Sequence, residues 1–132
     1  MLAIATSIIA QQKDFPSRKL SGLTGLYLGQ KPPGMTPVEF PFDFMPEGYR
    51  LHSAPAFMPG GEEVYFSAMD FSVRFSEKIF VIKMSDGIWG SPEVASFSGE
   101  FFDGSPSVSG DGQYLFFSSA CKFDQHGRSE SG

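Results

Sequence analysis

Apolar residues in this chain fall into short runs separated by Gly, Pro and Asp, with no sustained helical spacing. Residues 63–68 (EVYFSA) and 114–119 (YLFFSS) are rich in β-branched and aromatic side chains and read as strands. Each follows a turn, Pro59-Gly60-Gly61 in one case and Gly110-Asp111-Gly112 in the other, where glycine supplies the positive φ a hairpin needs. Pro55 and Pro106 are expected to open the short strand before each turn, where a missing N–H does least damage. A third strand is predicted over 78–84 (KIFVIKM). Asp86-Gly87 then turn the chain into a fourth, which starts at Ile88-Trp89 and runs towards Val94. Val64-Tyr65-Phe66 and Leu115-Phe116-Phe117 are apolar at consecutive positions. A sheet with one wet face would alternate, so both faces are expected to be covered.

The two hairpins belong to a longer internal repeat. Residues 48–68 align without a gap on residues 99–119, an offset of 51, with identities Gly48/Gly99, Pro55/Pro106, Gly61/Gly112, Phe66/Phe117 and Ser67/Ser118. The unit is a four-stranded antiparallel meander of about 50 residues, a period expected of propeller-type repeats. The predicted fold is therefore all-β, a partial β-propeller of about one and a half to two four-stranded antiparallel blades. A small β-sandwich whose hairpins are alike by chance is the competing architecture.

At these residues the chain resembles the WD40-like β-propeller repeat of the TolB type. In that unit Ser-Pro-x-aromatic-Ser-Pro-Asp-Gly precedes an apolar strand ending near Ser. The first copy here is Ala54-Pro55-Ala56-Phe57-Met58-Pro59-Gly60-Gly61 followed by Val64-Tyr65-Phe66-Ser67. The second is Ser105-Pro106-Ser107-Val108-Ser109-Gly110-Asp111-Gly112 followed by Leu115-Phe116-Phe117-Ser118. Met58, Gly60 and Gly110 depart from the pattern but leave the turn chemistry intact. Residues 27–37 (YLGQKPPGMTP) and the element Asp86-Gly87-Ile88-Trp89 are also similar to exported bacterial members of this group. The resemblance covers about residues 25–120 and implies fold more than activity. It divides the chain into a signal-like segment (1–10), a lead-in (11–36), a partial propeller (37–120) and a polar tail (121–132). Residues 38–44 are expected to supply the outer strand of a preceding blade. The remaining blades are expected from further sequence, the chain reading as a fragment of a longer propeller.

Composition narrows the function. With 15 Phe among 132 residues and 41% apolar residues, a packed core is expected; with 15 Gly and 10 Pro, long helices are not. A net charge of −5 argues against a nucleic-acid partner. The single Cys excludes an internal disulfide and a multi-Cys zinc site. Residues 2–10 (LAIATSIIA) are too few to span a bilayer, which takes about 20. They suit the apolar part of a secretory signal, although no Lys or Arg precedes them; a strand or a frayed terminus is the alternative. On the signal reading the protein is periplasmic or secreted.

No catalytic constellation emerges. A Gly-x-Ser-x-Gly elbow is absent, and the two His, His52 and His126, share no ligand spacing with each other or with Cys121. Cys121 reads as a free thiol and Asp111 as a turn former rather than a calcium ligand. Trp89 reads as packing rather than a carbohydrate platform. The stretch from Phe71 through Phe75 and the pair Phe101-Phe102 read as packing ahead of recognition loops. The stretch 69–77 (MDFSVRFSE) reads as a surface loop. No cofactor or metal is expected.

His52 and Asp103 share one place in the two copies, just before the innermost strand. At that place in a propeller, side chains converge on the mouth of the central channel. They are the candidate binding residues, with mere solvation of the channel rim as the alternative. The expected function is a non-catalytic module binding a protein or small ligand, without a membrane span. Its rival is an accessory propeller of a peptidase or saccharide-degrading enzyme whose catalytic part lies elsewhere.

Overall fold

The computed structural model describes residues 20, 22–32, 34–40, 42, 44–73 and 76–120. The signal-like segment 2–10, Phe75, Cys121, His126 and the polar tail lie outside the described residues. Eight strands form in chain order: β1 (Tyr49–Leu51), β2 (Ala56–Phe57), β3 (Glu63–Asp70), β4 (Glu77–Ser85), β5 (Ile88–Trp89), β6 (Glu93–Val94), β7 (Asp103–Val108) and β8 (Leu115–Ser119). All pairings within the two sheets are antiparallel, and the described residues are all-β apart from one short helical turn, Leu26–Gly29.

The first sheet contains β1 to β6 but has four lines of chain. β1 and β2 pair in succession with one side of β3, β3 pairs with β4, and β5 and β6 pair with the other side of β4. Its spine is the β3–β4 hairpin, in register from Glu63↔Lys83 to Met69↔Glu77. The predicted fourth strand is split, because Gly90-Ser91-Pro92 leaves the ladder between β5 and β6. Its turn is as expected: Asp86 (φ 51°) and Gly87 (φ 76°) both adopt the left-handed conformation of a tight hairpin. The second sheet is the β7–β8 hairpin alone.

Three boundaries differ from the sequence expectation. The stretch 69–77 is a connection between two strands, as expected, but both its ends are ladder: β3 continues through Asp70 and β4 begins at Glu77. Cross-strand pairing overrides the mixed charge that reads as loop. Pro106 does not open a strand, since β7 begins three residues earlier at Asp103. The proline sits where the register shifts between Gly104 and Ser107, next to Ser105 at φ 53°. A bulge is another position at which a strand tolerates a missing N–H. The described residues of 38–44 form no strand; Phe42 and Phe44 pack as irregular chain, with ring centroids 5.9 Å apart.

Both faces of the first sheet are covered. On one, Val64, Phe66 and Ala68 of β3 lie beside Phe80 and Ile82 of β4. Leu20, Leu28, Phe44 and Trp89 bury them. Phe66 stacks on Phe80 (5.6 Å, 16°) and meets Phe42 edge-on at 4.9 Å. Complete burial of a side chain such as Val64, Phe66 or Ile82 contributes about 1.5–3 kcal/mol. On the opposite face, Ile79, Val81 and Ala95 form a second cluster with Tyr65. The second sheet packs on this side, where Phe97 bridges Tyr65 (6.2 Å) and Phe117 (5.1 Å).

The turn ends of the β2–β3 and β7–β8 hairpins match bond for bond. Ala56↔Tyr65 and Phe57↔Val64 reappear 51 residues later as Ser107↔Phe116 and Val108↔Leu115. The turn bonds Met58 N–H to Glu63 O and Gly61 N–H to Met58 O reappear as Ser109 to Tyr114 and Gly112 to Ser109, all at 2.8–2.9 Å. Gly61 (φ 73°) and Gly112 (φ 71°) take the same left-handed position, which a side chain would strain.

Candidate functional site

Two buried carboxylates, Glu77 and Asp103, meet where the two sheets join. β3 ends there and β4 begins, and β7 begins there as β8 ends. Glu77 lies on the same face of β4 as Ile79 and Val81, pointing at the second sheet. Gly104 of β7 lies against it: a Cβ on Gly104 would come within 2.5 Å of the Glu77 Oε1. Only glycine permits this approach without moving a buried carboxylate.

His52 occupies the break between β1 and β2; it precedes the strand that follows Pro55, and the short strand β1 ahead of it was not expected. Its backbone N–H donates to Ser67 O at 2.9 Å, and the neighbouring Ser53 Oγ accepts from Ser67 N–H at 2.9 Å. These bonds keep the broken strand attached to β3. The imidazole Nδ1 is 2.7 Å from Glu77 Oε1, with the ring half exposed. With the carboxylate oxygen as acceptor, Nδ1 is the donor in this contact and Nε2 is the nitrogen left for others.

Asp103 has a different role. It is buried, and both its oxygens are engaged. Oδ1 accepts from Ser119 Oγ at 2.5 Å, and Oδ2 accepts from Ser98 Oγ at 2.8 Å and Gly99 N–H at 3.3 Å. Ser98 Oγ also accepts from Ile79 N–H at 3.0 Å, so the carboxylate ties the 98–99 loop and β8 to β4. The structure thus brings His52 and Asp103 to one junction, through Glu77 and Gly104. It exposes the first and occupies the second.

Glu77 is the residue the sequence reading missed. The signal was there: Glu77, Ile79 and Val81 share period-2 spacing at the head of β4, which puts the carboxylate on the face of the two apolar residues. Other candidates resolve into structural roles. Trp89 is buried, its indole N–H donating to Gly25 O at 2.7 Å. Asp111 shapes its turn, accepting from Ser109 Oγ (2.6 Å) and Gln113 N–H (3.1 Å), and these bonds hold its carboxyl below the ordinary range. Phe71 is exposed under the Arg50 guanidinium at 5.5 Å, and Phe101 and Phe102 are half-buried. The Tyr65 hydroxyl donates to Glu63, whose carboxylate also lies 3.7 Å from Lys83 Nζ. Burial first, then the adjacent Glu63, pushes the Tyr65 phenol up to about 12.

Among the described residues, no three His, Cys, Asp or Glu side chains come together to hold a metal ion. No helix there is long and apolar enough to cross a membrane. The junction can fix an imidazole in one orientation and present its outer nitrogen, which suits binding by hydrogen bond or charge. Comparison with protein-family models, curated proteins and solved structures found no match.

Proposed function

We propose that the chain is a non-catalytic binding module of the WD40-like, TolB-type propeller class, exported from a bacterial cell. In this reading the sheets are consecutive blades, and the blade end carrying His52 faces a protein or small ligand at the channel mouth. The observation that carries the binding role is the half-exposed His52 ring held by a buried Glu77 at the sheet junction. A solvating rim residue has no need of a buried carboxylate to orient it. The matched hairpins, 51 residues apart and in separate face-packed sheets, support the repeat reading.

His52 then makes the ligand contact through Nε2. Glu77 and Asp103 act as positioning residues, the first through the ring and the second through the loop and strand it clamps. The test is binding to immobilised peptide and glycan arrays by the wild-type chain, His52→Ala and His52→Asn. Asn keeps a donor for Glu77 and removes the outer ring nitrogen, so it separates ligand contact from folding. Ligands retained by the wild type and lost by both variants are expected; array binding identical in all three would overturn the assignment.

A further inference from the structure

A groove of about 380 Å³ lies between the N-terminal arm and the β2 segment. That volume falls at the lower end of small-molecule sites, about 300–1,000 Å³. Its walls are mostly apolar and include three aromatic rings: Tyr27 and Phe40, with Val38, come from the arm, and Phe57, with Pro55, from the β2 segment. The walls are also held in place. Tyr27 N–H donates to Gly61 O at 2.8 Å, its ring lies 5.4 Å from Phe57, and Phe40 meets Phe57 edge-on at 5.5 Å. Tyr27 itself is left-handed (φ 55°), an unfavourable conformation for an aromatic residue. Its ring packs against Gly61, where a Cβ would approach within 2.8 Å.

Charge selects the ligand. Acidic residues outnumber basic ones 15 to 10 in the chain, yet among the described residues the only charged side chain lining the groove is Lys31. Neither ion pair among the described residues involves Lys31. An ammonium beside aromatic and proline walls complements a molecule with an apolar body and one negative end. We infer that this groove binds a small amphipathic carboxylate, acyl or aryl, with its body between Tyr27, Phe40 and Phe57 and its carboxylate at Lys31. The site is separate from the His52 junction and does not depend on the propeller assignment.

The test is residue-resolved NMR titration of the whole chain with octanoate, octanol and octylammonium. Octanoate is expected to shift the amides of Lys31, Val38, Phe40 and Phe57 saturably, with an apparent Kd at least tenfold below that of octylammonium. Lys31→Glu, an exposed substitution, should erase that preference, and Val38→Asp should weaken octanoate binding several-fold. Equal response to all three probes, an unchanged preference in Lys31→Glu, or shifts at Tyr114–Phe117 in place of the groove would each overturn the assignment.

Discussion

Phe66 and Phe117 hold the same position in hairpins 51 residues apart, with the same turn and the same ladder, yet Phe66 is fully buried and Phe117 is 40% exposed. The neighbouring positions differ likewise: Tyr65 is half-buried under Phe97, whereas its counterpart Phe116 is 61% exposed. Local sequence builds both hairpins, and surroundings decide what each contributes. The first hairpin has β4 along its free edge, the arm on one face and the second sheet on the other. The second hairpin has a neighbour on the face that meets Phe97 only, and β8 has no partner on its outer edge among the described residues. In the proposed propeller, a further sheet of the same kind would cover the Phe116 face as β7–β8 covers that of Tyr65.

The largest expected effect separates these counterparts directly. Phe66→Ala should cost about 3–5 kcal/mol of unfolding free energy, as for other large core deletions, and Phe117→Ala about 1 kcal/mol. Denaturant unfolding of both variants checks it; equal losses would mean that the second hairpin is as enclosed as the first. Next is the junction. Asp103→Ala strands Ser98, Ser119 and the Gly99 N–H, and should cost about 2–3 kcal/mol. Gly104→Ala, which forces Glu77 to move, should cost about 1–3 kcal/mol and displace the His52 ring resonances in an NMR spectrum.

Smaller effects sharpen the same comparison. Ser67 Oγ is buried with no hydrogen-bond partner among the described residues, while its counterpart Ser118 Oγ donates to Gly104 O at 3.0 Å. Ser67→Ala should therefore be neutral or stabilising, and Ser118→Ala should lose about 0.5–1.5 kcal/mol. The pH dependence divides between the hairpins too. The folded pKa of Tyr65 is raised, so its stabilising contribution is complete below the ordinary tyrosine pKa of about 10 and is lost as pH rises through about 12. Absorbance titration at alkaline pH should show one tyrosine ionising late, and Glu63→Gln should bring it forward. Asp111 has the opposite sign: its folded pKa is lowered, so its contribution is present above the ordinary carboxyl range and fades as acid protonates it. Asp111→Asn should remove that acid sensitivity from the second turn.

The parts legible in the sequence are those encoded within a few residues. Gly61, Gly112 and Asp86-Gly87 mark turns because positive φ leaves few alternatives, and the runs beside them mark strands. The covered faces of β3 were also legible, since Val64-Tyr65-Phe66 lacks the alternation of a half-wet strand; the same pattern in Leu115-Phe116-Phe117 misled, because Phe116 and Phe117 stay exposed. The arm was not. Leu20 and Phe44 reach the core through irregular chain and Leu28 through a single helical turn, and the left-handed Tyr27 is held by Gly61, 34 residues away. No local pattern encodes such contacts. In the candidate site, His52 and Asp103 were singled out by their equivalent repeat positions. Their unlike roles came from Glu77 and Ser98, which a reading of equivalent positions does not reach.

Amide hydrogen exchange across the two hairpins tests most directly the claim that matched units sit in unequal surroundings. Slow exchange throughout 64–68 and 79–82, with fast exchange at the outward-facing amides of 115–119, is the predicted result. Equal protection of the β3 and β8 amides would contradict it.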